Sequence, residues 1–300
     1  MPASNAETND ETISYRIIRT TEEFDHLRSE WTRIWENSNA TIFQTFEWQR
    51  TWWKCFGESQ KHTQLLLILA LNGNSVRGIA PCLIQQISTA GILTFRQLKF
   101  IGHGISDYLD LLCEPGYEET VHSAVVDALT SLQSEYDVAV LEDFPDASSF
   151  FRPLHDACTR HGFTGTMFEI TQCPRTNLQE TWEGTLGSLS AKHRKDIAYE
   201  LRNINRKFEV QFELTTSADV VSDNMDHFIA MHQERWIHAG HQGVFEDSVQ
   251  ARFHKEVATA CFQQGWLFLA FLRLNGKRVA VNYGFHCKER VMTYLNGMIA

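Results

Sequence analysis

The stretch LNGNSVRGIAPCLI at residues 71–84 is echoed by LNGKRVAVNYGFHC at 274–287, and each copy follows a short apolar run, LLLILA before the first and LFLAFLR before the second. An Asn-Gly pair between two apolar runs is a hairpin signal. It is also a common turn, so one recurrence proves little. The elements around it decide whether the chain is built as two like halves.

Residues 14–20 alternate as a strand. Thr21 to Asn37 then sets Phe24, Leu27, Trp31, Ile34 and Trp35 at helical spacing, with Thr20 or Thr21 as the cap. A second, aromatic helix is expected over 46–56. The first hairpin follows, with strands at about 64–71 and 76–88 around the Asn72-Gly73-Asn74 turn. Strand-like runs at 96–101 and 107–113, a helix near 118–134, a strand at 137–142, a helix at 148–161 and a strand at 164–170 complete the half. A polar stretch with Cys173-Pro174, residues 171–180, reads as a linker. Beyond it come a basic helix at about 186–207, a strand at 208–215, helices at 219–238 and 247–264, the second hairpin at 266–287 and a strand at 290–297. Strand, helix, helix, hairpin, strand is the order in both halves. The chain therefore divides into a tail (1–13), an α/β domain over 14–170, the linker and a second domain over 181–300.

Composition narrows the class. With 43% hydrophobic residues the chain can bury a core, and a formal charge of −10 argues against general nucleic-acid affinity, so no DNA partner is expected. The polar first fourteen residues lack a signal-peptide apolar core, and the apolar runs fall well short of the roughly 20 residues of a membrane-spanning helix. A cytoplasmic protein is expected. Seven scattered cysteines without a CxxC pair read as free thiols, with neither disulfides nor cysteine-held zinc.

Several short motifs, in order, carry a family resemblance over about 40–300. In the first half they are Phe46-Glu47-Trp48, Trp52-Trp53, Phe56-Gly57, Gly78-Ile79-Ala80-Pro81 and Ser106-Asp107-Tyr108-Leu109-Asp110. In the second they are Leu189-Ser190 before the basic helix, His232, Arg235-Trp236, Gly243, Phe245, Asn275-Gly276, Ala280 and Tyr294-Leu295-Asn296-Gly297. With these the chain resembles the GNAT acyl-CoA N-acyltransferases, in the tandem-domain branch named for the CelD proteins of cellulose biosynthesis, and is distantly similar to the Fem peptidyltransferases. The resemblance implies two GNAT-like folds with mixed sheets flanked by helices. It also implies transfer of an acetyl or longer acyl group from acyl-CoA, as co-substrate, to an amine or hydroxyl of a sugar-like or envelope-related acceptor. Two alternatives stay open: Fem-like transfer from aminoacyl-tRNA, and a non-catalytic scaffold for exopolysaccharide synthesis. In the superfamily, the strand matching 290–297 leads into a loop and helix that hold the cofactor pyrophosphate. This sequence stops at Ala300, so that half-site is expected to be incomplete here.

Candidate residues follow from helical phase and from the resemblance. Steps of 100° put Val221, Met225, Phe228, His232 and Trp236 on one apolar stripe, with Arg235 at its margin. His232 thus faces inward, as a core histidine or as a base at the acceptor cleft. The resemblance implies that Met292, Tyr294, Leu295 and Asn296 offer a strand edge to pantetheine. Asp107, Tyr108 and Asp110, beside the Gly102-His103-Gly104 loop, read either as a pocket lip for an amine-bearing acceptor or as a surface strand whose Asp107 caps a turn. Asn282 and His286 share one face of the second hairpin, with Tyr283 on the other. The residues put forward as catalytic are His232, Asp107 and His286. His238 and His241 lie near His232, but no carboxylate or cysteine completes a metal-ligand spacing, and no metal is expected. On the basic helix Lys195, Arg202 and Arg206 lie within about 40° of one another, opposite Ile197, Leu201, Ile204 and Phe208. One side is expected to pack and the other to stand as a basic stripe. Six Lys or Arg against Asp196 and Glu200 give 192–207 a surplus of +4. That stripe is a solvated face or a place for an anionic ligand.

Overall fold

The computed structural model describes residues 13–89 and 93–299, apart from the side chain of Cys158, and the chain forms two compact units, 1–167 and 168–300. The tail expected over 1–13 lies outside the described residues except for Ile13, as does Ala300. In the first unit β1 (Ile13–Ile18) leads to helices α1 (Thr21–His26), α2 (Arg28–Asn37) and α3 (Phe46–Trp52), then to strands β2 (Thr63–Asn72), β3 (Ser75–Thr89) and β4 (Leu93–Phe100). β5 (Leu112–Cys113), α4 (Glu118–Ser131), β6 (Val138–Ala139) and α5 (Phe151–Arg160) follow. The second unit runs α6 (Trp182–Ser188), α7 (Ala191–Lys207), β7 (Val210–Leu214), α8 (Val221–His238), α9 (Ser248–Gln263), β8 (Leu267–Leu274), β9 (Lys277–Cys287) and β10 (Arg290–Met298).

The sheets show the repeat. One has the order β1-β2-β3-β4-β6, with β5 on β3, and the other β7-β8-β9-β10. In both, a first strand, a hairpin and a last strand pair antiparallel in chain order. The protein is thus mixed α/β, with two helix-flanked sheets built on the same strand order. The two LNG turns differ in register. Asn72 lies opposite Ser75 in the first, where Gly73 takes φ 58°, while Leu274 lies opposite Lys277 in the second. There Asn275 (φ 49°) and Gly276 (φ 78°) both adopt the left-handed conformation of a type I′ turn. The same letters therefore close one residue earlier in the second copy.

Several expected elements are shorter or broken. The helix expected over 21–37 divides at Leu27 into α1 and α2, and the one over 46–56 ends as a π turn from Trp53 to Gly57. The basic helix expected over 186–207 is two helices, because Ser190 leaves helical geometry and its Oγ accepts from His193 N at 3.3 Å, capping α7. Strands expected over 107–113 and 137–142 shrink to β5 and β6, and 164–170 forms no strand. Alternation makes a strand only where a neighbouring strand completes the ladder. Cys113 finds Gly78 and Leu112 finds Ile79, whereas 164–170 is exposed throughout. The expected packing of α7 through its apolar side is only partial: Ile197 and Ile204 are half-buried, but none of its residues is buried and Leu201 is 47% exposed.

The second unit's core positions the site. Val221, Met225, Phe228 and His232 of α8 and Phe253, His254, Val257 and Cys261 of α9 are buried, as are Leu269, Phe271, Tyr283 and Phe285 of the sheet. Each large apolar side chain so buried contributes about 1.5–3 kcal/mol. Gly297 lets α8 lie close on β10: a Cβ there would come within 2.9 Å of the His232 backbone nitrogen.

Candidate functional site

His232 projects from the buried face of α8 toward β10, and its exposure is 2%. Its Nδ1 lies 2.8 Å from the Asn296 carbonyl oxygen. A carbonyl only accepts, so Nδ1 carries the proton and Nε2 is left with a lone pair. Nε2 is buried and has no hydrogen-bond partner, and the Trp236 Nε1–H nearby is likewise buried and unpartnered. The two rings are 6.1 Å apart, with Phe228 and Phe245 completing the wall at 5.8 and 5.1 Å from His232. Burial holds the imidazole below the usual histidine range. Arg235 adds to this and the Asn296 carbonyl opposes it. The ring is therefore neutral at pH 7, with a basic nitrogen facing apolar surroundings.

β10 ends the sheet formed by the described residues, and its register with β9 shifts between Thr293 and Leu295. Tyr294 is the extra residue of this bulge, a device that re-aims side chains at a sheet edge. Its ring packs 5.5 Å from His254, 6.0 Å from Tyr283 and 6.1 Å from Phe285. Next along the strand, Asn296 gives its carbonyl to His232 and its Oδ1 to the Asn282 amide at 2.7 Å, while Asn282 Oδ1 is buried and unpartnered. Met292 and Leu295 are half-buried on the same strand.

Of the residues proposed from sequence, the fold thus brings together His232, Trp236, Asn282, Tyr294, Leu295 and Asn296. Arg235 is exposed with its guanidinium 5.7 Å from the Trp236 ring centre. His286 is exposed and four residues along β9 from Asn282, roughly 13 Å at the rise of a strand. Lys195, Arg202 and Arg206 are exposed on α7. His254 was missed. It is wholly buried on α9, its Nδ1 is 3.4 Å from the Tyr283 hydroxyl, and burial, aided by His232, lowers it to about 3.

In the first unit the Gly102–Leu111 segment gathers acidic groups. Asp110 is partly buried, accepts from Leu111 N at 2.8 Å, and is pushed up to about 6 by burial despite its bonds to Ser148 and Leu111. Asp107 is raised by burial as well, at a position that still reaches the surface. The Tyr108 ring packs 6.3 Å from Phe43. A third carboxylate, Asp143, was not foreseen. It sits at φ 65°, its carbonyl accepts from Leu109 N at 2.9 Å, and burial with Glu142 and Asp107 raises it to about 6. Folded-state values above the unfolded one destabilise the unit as pH rises from about 4 to about 6. Asp110→Asn is expected to raise first-unit stability at pH 7 by on the order of 2 kcal/mol and to change little at pH 3.5, read from urea unfolding at both pH values.

Among the described residues no group of three or more His, Cys, Asp and Glu side chains is placed to hold a metal ion, and no helix is long and apolar enough to cross a membrane.

Residues 191–299 match the acetyltransferase (GNAT) domain family. The second unit is an acetyltransferase domain, and the chemistry it gives the chain is acyl transfer. No curated protein sequence matches the chain. Among solved structures it is similar to a conserved protein of unknown function from Bacteroides thetaiotaomicron, at 11% identity over 96% of this chain and 80% of that one, TM-score 0.42. It is also similar to a predicted acetyltransferase with acetyl-CoA from Clostridium acetobutylicum (17% identity, 53% of this chain and 96% of that one, TM-score 0.32). A third is an aminoglycoside acetyltransferase from an uncultured soil metagenomic sample (10% identity, 56% and 99%, TM-score 0.29).

Proposed function

We propose that the chain is a cytoplasmic, CelD-type acyltransferase that moves an acetyl or longer acyl group from CoA to an amine or hydroxyl of a sugar-like or envelope-related acceptor. The observation that carries this reading is the unpartnered Nε2 of buried, neutral His232 beside the bulged edge of β10. Acyl-CoA supplies an activated thioester. The backbone of β10 from Met292 to Asn296 suits an extended amide-bearing chain laid along the sheet edge. His232 Nε2 accepts the proton that the amine or hydroxyl loses as it is acylated, and the bond from Nδ1 to Asn296 holds the ring in the tautomer this requires. Trp236 and Asn282, each with an unused polar atom, orient the acceptor, with Arg235 and His286 as outlying contacts. In the first unit Asp107, Tyr108 and Asp110 suit a cationic amine.

The test is calorimetric titration of acetyl-CoA into the intact chain, with thiol release measured against a panel of amino sugars and simple amines. Saturable binding and acceptor-dependent release are expected. Neither binding nor release would favour the scaffold reading. A second reading, transfer from aminoacyl-tRNA, draws on the exposed Lys195, Arg202 and Arg206. Under it Arg202→Glu with Arg206→Glu abolishes tRNA binding, whereas CoA binding survives the same change if CoA is the donor.

A further inference from the structure

A cleft of about 570 Å³ opens on the second unit between the first half of α8 and the turn of the β8–β9 hairpin. Asn224, His227 and Met231 line it from the helix, and Arg273, Lys277 and Arg278 from the hairpin. Asp223 is its one acidic wall residue, and Glu213 of β7 stands behind the arginines. Three fixed cations therefore face two carboxylates in a protein whose formal charge is −10.

The Glu213 charge is fully engaged. It accepts from Arg278 Nε at 3.2 Å and from Arg278 Nη2, and pairs with Arg273 Nη1 at 3.3 Å. Arg278 is held on every side. It donates to Asn224 Oδ1 and His227 Nδ1, each at 2.8 Å, and its guanidinium lies 3.9 Å over the Phe271 ring. Asn224 is itself buried and fixed by donating to Thr215 Oγ1 at 2.9 Å. Because a guanidinium only donates, His227 Nδ1 accepts and its proton sits on Nε2, which adds a donor to the wall. Arg273 is steadied by the bond from Nε to the Gly276 carbonyl at 3.2 Å, with N–H groups to spare, and Lys277 has no partner among the described residues. The first hairpin closes its turn with Asn74 and Ser75 where the second writes Lys277 and Arg278, so the turn itself does not require cations.

We infer that this cleft binds a phosphate or diphosphate group. Preorganised N–H donors in surplus over carboxylate acceptors suit an oxyanion with several acceptor oxygens. The cleft has room beyond one phosphate, which leaves space for a larger molecule to carry the group. The inference stands independently of the acyl-transfer reading, since it uses none of the residues around His232.

Inorganic pyrophosphate, titrated into the intact chain at fixed ionic strength with sulfate as the comparison, is the probe. Saturable binding is expected, weakened at least about tenfold by Lys277→Asn and by Arg273→Gln and unchanged by Arg202→Gln with Arg206→Gln. Lys277 is exposed, so its variant keeps the fold, which circular dichroism checks. No saturable heat, equal binding by the Lys277 and Arg273 variants, or loss confined to the α7 variant would overturn the assignment. Given binding, displacement by CoA identifies its phosphates as the source, and failure to displace places the phosphate on another phosphorylated molecule.

Discussion

His232→Asn is expected to lower turnover by about 10²–10⁴-fold, the range contributed by a positioned proton acceptor. The choice of asparagine isolates the chemistry. Its amide nitrogen falls near the place of Nδ1 and can still donate to the Asn296 carbonyl, while nothing replaces the lone pair of Nε2. The bond between α8 and β10 is thus retained and only the base is removed. KM for the acyl donor should change little, since the donor is proposed to lie on β10 rather than on His232; the loss falls on kcat. The pH profile gives a second readout. Burial and Arg235 hold His232 below the ordinary histidine range, so the acid limb of kcat/KM should lie below pH 6.5 and disappear in the variant. Unchanged kcat in a folded His232→Asn protein would return this residue to the core, as a histidine whose role is to tie a helix to a strand.

The site's legibility in the sequence followed the range of the forces that build it. His232 was visible because helical phase is local, and Phe228, Met225 and Val221 mark the same buried face one, two and three turns away. His254 carries the same signal, in step with Val257, Ala258 and Cys261 on α9, and was open to the same argument. Asp143 was not. Its position depends on a left-handed backbone at φ 65° and on the bond from Leu109, a contact across many residues that no short pattern encodes. The hairpin echo announced the element order, yet the one-residue difference in turn register rests on which residues accept positive φ, and Asn275 and Gly73 spell alternatives that look alike in sequence. Helix α7 shows the converse limit. Its amphipathic pattern is plain, but a pattern states which side can be buried and not whether anything buries it.

Acidification should unfold the second unit before the first. His254 is wholly buried and neutral, its folded value lowered to about 3 from 6.5. The unfolded chain takes up its proton as pH falls through 6.5 while the folded one does not, so the stability present above pH 6.5 is lost progressively down to about pH 3. Between pH 6.5 and 4.5 that loss is about 3 kcal/mol, a large part of the 5–15 kcal/mol typical of a domain. His232, lowered in the same direction, adds to it. Glu213 and Asp219 are lowered too, by their partners Arg278 and Ser217, and push the same way at lower pH. The first unit has opposed terms. His103, lowered to about 4, and His122 favour unfolding in acid, but Asp110 and Asp143, each raised to about 6, gain stability over that window. Their contributions largely offset the histidines down to about pH 4. Thermal unfolding followed by tryptophan fluorescence should therefore give one transition or two close ones at pH 7 and well-separated ones at pH 4.5. His254→Gln should move the lower transition at pH 4.5 toward its pH 7 position. A lower transition that shifts equally with pH in wild type and variant would show that the acid sensitivity of this unit lies elsewhere than in the imidazole packed between Phe245, Tyr283 and Tyr294.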